Sequence, residues 1–233
     1  MLKVGIICAG DSELAPFLPH IERVKTTQKA MLRLYEGTIG SVRAVALFSG
    51  VCKVNAAIAA QLLIDRFGVN LIVNAGTCGG MDDGLEVFTT VIATESAYHD
   101  VDGDILTDFH PWMETAAFAS DATLLALATK AVQAAGLAGR VAFGRMVTGE
   151  AFITEGARAR INERFRPLSV DMETAAIAHV CYVNSIPFIA IRTVTDTSAH
   201  GGREAEYFEK NCAQCAAIAK DVTLLLLREL GKR

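Results

Sequence analysis

No cluster of lysine and arginine stands out along the chain, whose formal net charge is −4. A nucleic acid or an anionic membrane surface would call for such a cluster, so neither is expected as a partner. No apolar run approaches the ~18 residues of a membrane-spanning helix. The amino end begins on Lys3-Val-Gly-Ile-Ile-Cys-Ala9, too short and too β-branched for a secretory leader. Prolines number five, and no Gly/Ser linker, low-complexity tract or repeat interrupts the 233 residues. With 52% hydrophobic and 21% charged residues the composition is globular. These features predict a cytoplasmic protein made of one domain, residues 1–233.

The five histidines form no ligand cluster, and His99, His110 and His200 fall in expected loops. Neither a metal nor an organic cofactor is expected. Of the six cysteines (Cys8, Cys52, Cys78, Cys181, Cys212 and Cys215) only Cys212 and Cys215 have a redox or zinc spacing. They sit in a helical run with no second pair, which predicts reduced, structural thiols.

What is present is a series of short apolar, β-branched runs: Lys3–Cys8, Ala44–Phe48, Leu71–Asn74, Thr89–Glu95, Val141–Val147 and Phe188–Val194. Most are continuous rather than alternating, as in strands covered on both faces. Helical patterns lie between them at Lys53–Phe67, Asp121–Ala135, Thr174–Asn184 and Glu204–Leu230. Alternation of this kind predicts a three-layer α/β/α fold. His99–Thr115 is the longest polar, aperiodic stretch and reads as a mobile or interface loop.

Four segments set polar or glycine residues at a strand's end, where open α/β sheets bind ligands. Ala9-Gly-Asp-Ser-Glu13 brings Glu13 to the carboxyl edge of the sheet, although a helix dipole would favour the same acids. Asn74-Ala-Gly-Thr-Cys-Gly-Gly80 is either a plain tight turn or a turn that a ligand can approach closely. Its spacing is neither a dinucleotide fingerprint nor a P-loop. In Val170-Asp-Met-Glu-Thr-Ala-Ala176 two carboxylates open an apolar helix, as a capping box also would. Ile191-Arg-Thr-Val-Thr-Asp196 buries Arg192 in a strand, which is costly unless the arginine is paired or active.

In this order the segments resemble the methylthioadenosine/S-adenosylhomocysteine nucleosidase family of the purine nucleoside phosphorylase superfamily. The resemblance runs from Lys3 to about Leu227. Its most specific parts are Val170-Asp-Met-Glu-Thr-Ala-Ala-Ile-Ala-His-Val-Cys181 and Arg192-Thr-Val-Thr-Asp196. Ser49-Gly-Val-Cys-Lys-Val54, Tyr98-His-Asp100 and Gly149-Glu-Ala-Phe-Ile153 support it.

The resemblance implies a nucleoside phosphorylase-like fold around a central mixed, twisted sheet. It also implies hydrolysis of the N-glycosidic bond of 5′-substituted adenosines, such as methylthioadenosine and S-adenosylhomocysteine, by a homodimer in methionine salvage. Glu13, Glu173 and Arg192 would then hold and deprotonate the attacking water. Glu173 and the Met172 backbone would hold the ribose hydroxyls, and Asp196 would act as general acid at adenine N7. Phe152 would stack on the base and the Ile153 backbone would read its N1 and N6 edge. Thr77 replaces a family serine beside the site, next to Gly79, while Val51 and Met172 line the ribose and 5′ side. Partial burial and neighbouring Glu173 would raise the Asp196 pKa, so that one site runs two carboxylates in different states.

Phosphorolysis on the same fold is the alternative. A phosphorylase must hold a dianion with several cationic donors. Related bacterial phosphorylases carry arginines where this chain has Asn74 and the Asp11-Ser-Glu13 segment, which favours water. A non-catalytic nucleoside-binding protein would be expected to lack Glu13, Glu173 or Asp196, and all three are present. Three departures bear on the 5′ group. Gly10 stands where a bulkier residue commonly narrows the 5′ pocket. The Asp102–Trp112 loop, which in the family covers the partner's pocket, differs, and so does Ala199-His-Gly-Gly-Arg203. A preference shifted toward 5′-deoxyadenosine or aminodeoxyfutalosine is therefore an open alternative.

Overall fold

The structure, a computed structural model, describes residues 2–109 and 113–233. His110, Pro111 and Trp112, in the expected loop, lie outside the described residues. The chain opens with β1 (Lys3–Cys8) and the single turn α1 (Asp11–Leu14), followed by β2 (Glu22–Lys29), β3 (Leu32–Ile39) and β4 (Val42–Phe48). Next come α2 (Lys53–Phe67), β5 (Leu71–Gly80), β6 (Thr90–Tyr98), α3 (Gly103–Phe109), β7 (Ala117–Ala119) and α4 (Ala122–Ala134). The carboxyl half holds β8 (Val141–Thr148), α5 (Glu155–Phe165), β9 (Ser169–Asp171), α6 (Thr174–Val183), β10 (Phe188–Asp196) and α7 (Glu204–Leu230).

The strands form one mixed sheet in the order β10-β6-β8-β9-β5-β1-β4-β3-β2, with β7 on β6. Because β10 also pairs with β5, the strands β5, β10, β6, β8 and β9 close into a ring, from which β1, β4, β3 and β2 extend. β1 and β10 both run parallel to β5, so all three deliver their carboxyl ends to one place. Successive side chains of a strand point to opposite faces. Ile6 and Val73 accordingly join the layer of α4 and α7. Ile7 and Ile72 join the layer of α2 and α6. This is the expected α/β/α sandwich. Gly5 is matched to its partner helix: a Cβ there would lie 2.8 Å from Leu63 Cδ1.

Several elements differ from the sequence expectation. The glycine stretch 74–80 is not a turn, because β5 continues through Gly80 and pairs with β10 and β9. The ladder on both sides holds it extended. The hairpin β2–β3 was not anticipated: β2 is exposed along nearly its whole length and its charged residues blunt a sheet edge. α5 packs only a narrow stripe, Ala157, Ile161 and Phe165, against the core, among mostly polar residues. The expected loop His99–Thr115 contains α3, none of whose residues is buried, so it leaves no periodic signature.

Leu63 is fully buried between α2 and the sheet. Leu63→Ala should therefore lower stability by about 2–5 kcal/mol in chemical denaturation with an unchanged m-value.

Candidate active site

Glu13 is set by α1. The helix is capped at Gly10, and the Glu13 carboxylate turns back to accept from the N–H groups of Ala9 (2.7 Å) and Gly10 (3.2 Å). Its other oxygen accepts from the backbone N–H and the hydroxyl of Thr77, each at 2.7 Å. Four donors, two from the turn after β1 and two from Thr77 of β5, thus fix one carboxylate. Room for it exists because residue 76 is glycine: a Cβ there would come within 2.5 Å of Glu13 Oε1.

Antiparallel pairing places Val170 of β9 opposite Gly79, and β10 runs beside β5 with Arg192 opposite Gly76. The chain leaving β9 therefore returns Asp171 and Glu173 to Arg192. Arg192 is 1% exposed and fully engaged. Its Nε lies 3.0 Å from both Asn74 Oδ1 and Asp171 Oδ2, Nη1 donates to Thr77 O at 2.7 Å, and Nη2 donates to Glu173 Oε2 at 3.0 Å. The other Glu173 oxygen accepts from the N–H of Cys52 at 2.9 Å. Cys52 stands at the N-terminus of α2 with φ +84°, an outlier for a non-glycine residue that aims this N–H at the carboxylate. Burial pushes the Glu173 carboxyl up to about 7, against the pull of Arg192 and with added repulsion from Asp171.

Asp196 ends β10 and is 1% exposed. It accepts from Thr195 Oγ1 at 2.8 Å and from Arg158 Nη2 at 2.9 Å. Burial raises its pKa, opposed by Thr195 and Arg158 and reinforced by Glu204. The expected rise is present, but Glu204 supplies the carboxylate neighbour expected of Glu173. The reason is position: Glu173 is engaged with Arg192 and Cys52, whereas Glu204 faces Arg158.

These groups line a cavity of about 260 Å³. All ten residues expected from the sequence converge on it: Glu13, Val51, Thr77, Gly79, Phe152, Ile153, Met172, Glu173, Arg192 and Asp196. Phe152 is 43% exposed at its mouth and meets Phe208 edge-on, with ring centroids 6.0 Å apart. Phe208 and Cys212, one turn apart on α7, were missed because that helix reads simply as amphipathic. Asp171 lies in a sequence motif that gives it no role of its own, and Arg158 lies in a helix with no sequence signature. Asn74 is turned away from the cavity. Its amide donates to Ile7 O at 2.9 Å and accepts from Thr174 and Arg192.

Chemically, the floor carries Glu13, Asp171 and Glu173 facing a single, fully committed guanidinium, with the protonatable Asp196 beside them. A family model described as the phosphorylase superfamily matches residues 3–228. A 5′-methylthioadenosine/S-adenosylhomocysteine nucleosidase of Actinobacillus succinogenes is 36% identical over 98% of this chain and 100% of its own length. The chain belongs to that nucleosidase family. A second member of the nucleosidase family, from Anoxybacillus flavithermus, is 32% identical over 99% of this chain and all of its own. The solved nucleosidase of Neisseria meningitidis, in complex with methylthio-immucillin-A, is 32% identical. It superposes with a TM-score of 0.88 over 98% of this chain and 99% of that one.

Within this nucleosidase framework, Gly76→Ala should displace the Glu13 carboxylate while leaving the fold intact. Catalytic turnover is expected to fall by about 10²-fold or more with little change in circular dichroism. Wild-type turnover in the variant would count against the placement of Glu13.

Proposed function

We propose that the chain hydrolyses the N-glycosidic bond of 5′-substituted adenosines, methylthioadenosine and S-adenosylhomocysteine among them, releasing adenine and the 5′-substituted ribose. The observation that carries this reading is the opposition of the acidic floor (Glu13, Glu173) to Asp196 across one cavity. Cleaving a ribosyl C–N bond develops positive charge on the sugar and negative charge on the departing base. A carboxylate must activate water on one face while an acid meets the base on the other, the division of labour of an inverting glycosidase.

In this reading Asp196 donates to N7, Phe152 stacks on the base and the Ile153 backbone reads its edge. Glu173 and the Met172 backbone hold the ribose, and Thr77 orients Glu13 through its own hydroxyl. Val51 and Met172 border the 5′ side, and Gly79 leaves space beside Asp196 Oδ2, 3.4 Å from where a Cβ would stand. Arg192 braces Glu173 and completes the water site. Water is favoured over phosphate because no free cation faces the floor among the described residues lining the cavity. A phosphate dianion beside Glu13 and Glu173 would be repelled.

We further propose a homodimer acting in the cytoplasm, in methionine salvage. Exposed Val54 and Ile58, one turn apart on α2, with Tyr182 and Val183 of α6, support an apolar contact face. Among the described residues no helix is long and apolar enough to cross a membrane.

Purified protein should release adenine from methylthioadenosine equally fast with and without phosphate. Asp196→Asn should lose about 10²–10⁴-fold in rate. Dependence on added phosphate would make the chain a phosphorylase. Because Glu173 must be ionised to take a proton, kcat/KM should rise as pH is raised through about 7. A profile flat across that range would remove Glu173 from the role of base.

A further inference from the structure

Outside the cavity lining, behind Asp196, lies an ion pair that the chemistry above does not use. Glu204 is fully buried at the first position of α7, and neither of its oxygens has a hydrogen-bond donor. Its nearest cation is Arg158, with Nε at 4.0 Å from Oε1, and this Nε is itself buried without an acceptor. The rest of the Arg158 guanidinium is held by Gly80 O, by Met81 Sδ at 3.5 Å and by Asp196 Oδ2 at 2.9 Å. A buried carboxylate without donors is costly, and a distant ion pair recovers little of that cost. The three ionisable groups run in sequence: Glu204, Arg158, Asp196.

We propose that Arg158 and Glu204 are positioning residues for Asp196: Arg158 orients its carboxyl, and Glu204 offsets the guanidinium so that Asp196 can keep its proton until the base departs. This rests on the function proposed above. An arginine alone at 2.9 Å would favour the carboxylate form and disarm a general acid. With Glu204 behind it, the pair presents little net charge while still fixing direction.

Glu13, Asp171, Glu173 and Arg192 share the cavity with Asp196, and the thiols of Cys78 on β5 and Cys215 on α7, held neutral by burial, also lie near it. Glu204 and Arg158 are thus the charged side chains that act on it from α7 and α5. In the reaction the C–N electron pair leaves with the base and the Asp196 proton passes to N7. The new Asp196 carboxylate then faces Arg158, while the proton of the attacking water goes to the Glu13 and Glu173 side.

The test compares Glu204→Gln and Glu204→Asp with wild type by two readouts. The first is the ¹³C carboxyl resonance of Asp196, assigned by its loss in Asp196→Asn and titrated in the free protein. It should titrate at lower pH in Glu204→Gln and stay near wild type in Glu204→Asp. The second is turnover of two substrates. Adenine release from methylthioadenosine should fall roughly tenfold in Glu204→Gln, part of the general-acid contribution, with the deficit growing as pH rises. Release of p-nitrophenolate from the corresponding 5-methylthio riboside, whose leaving group needs no proton, should be unchanged.

An unmoved Asp196 titration in folded Glu204→Gln, or equal losses on both leaving groups, overturns the proposal. If Glu204→Gln does not fold, Arg158→Gln replaces it. There the Asp196 titration should move up, and an unmoved one overturns the proposal. Failure of wild type to release adenine would refute the function instead, and the resonance titration would still decide the pair.

Discussion

Arg192 is the contact on which the site depends. One buried guanidinium joins Asn74 and Thr77 of β5 to Asp171 and Glu173, and so locks the start of α6 to two neighbouring strands. Removing one member of such a buried group typically costs about 3–5 kcal/mol, because the charges left behind lose their partner. Arg192 is thus a structural and an electrostatic element at once. It tolerates the crowding of carboxylates that the floor of the cavity requires, and they in turn offset the cost of burying its charge.

The carboxylates are then differentiated by what donates to them. Glu13 receives four donors and sits as a saturated acceptor. Glu173 receives one N–H and one guanidinium, too little to cancel its burial, and is lifted to about 7. Asp196 receives a hydroxyl and a guanidinium but answers to a further buried acid. Glu173 and Asp196 thus both hold a proton more readily than free carboxylates, each for its own mix of burial and partners, as an acid on one face and a base on the other demand.

Much of this was legible in the sequence, because the buried strands and the ends that follow them carry strong local signals. An arginine inside an apolar strand has few structural excuses, and Arg192 proved to be paired throughout. The ten expected residues converge because each lies in the carboxyl half of a strand or just after one, and the register brings these ends to one mouth. What stayed hidden lacks a local signature. Arg158 sits in a polar helix, Glu204 looks like any acid in a first helical turn, and β2 is solvated nearly all along. The glycine run misled for a physical reason: glycines permit a turn, but the ladder partners of β5, themselves distant in the chain, keep it extended.

The burial of Asn74 has a consequence for what can replace it. Its amide is spent bridging Ile7, Thr174 and Arg192 in a sealed interior. An arginine there would crowd a second guanidinium against Arg192 and break three contacts before it met any anion. An arginine at this one position would therefore not by itself supply a cationic site facing the cavity. Making room for it would require β1, β10 and the start of α6 to shift together, so the chemistry at the cavity floor is set by the buried scaffold as much as by the pocket.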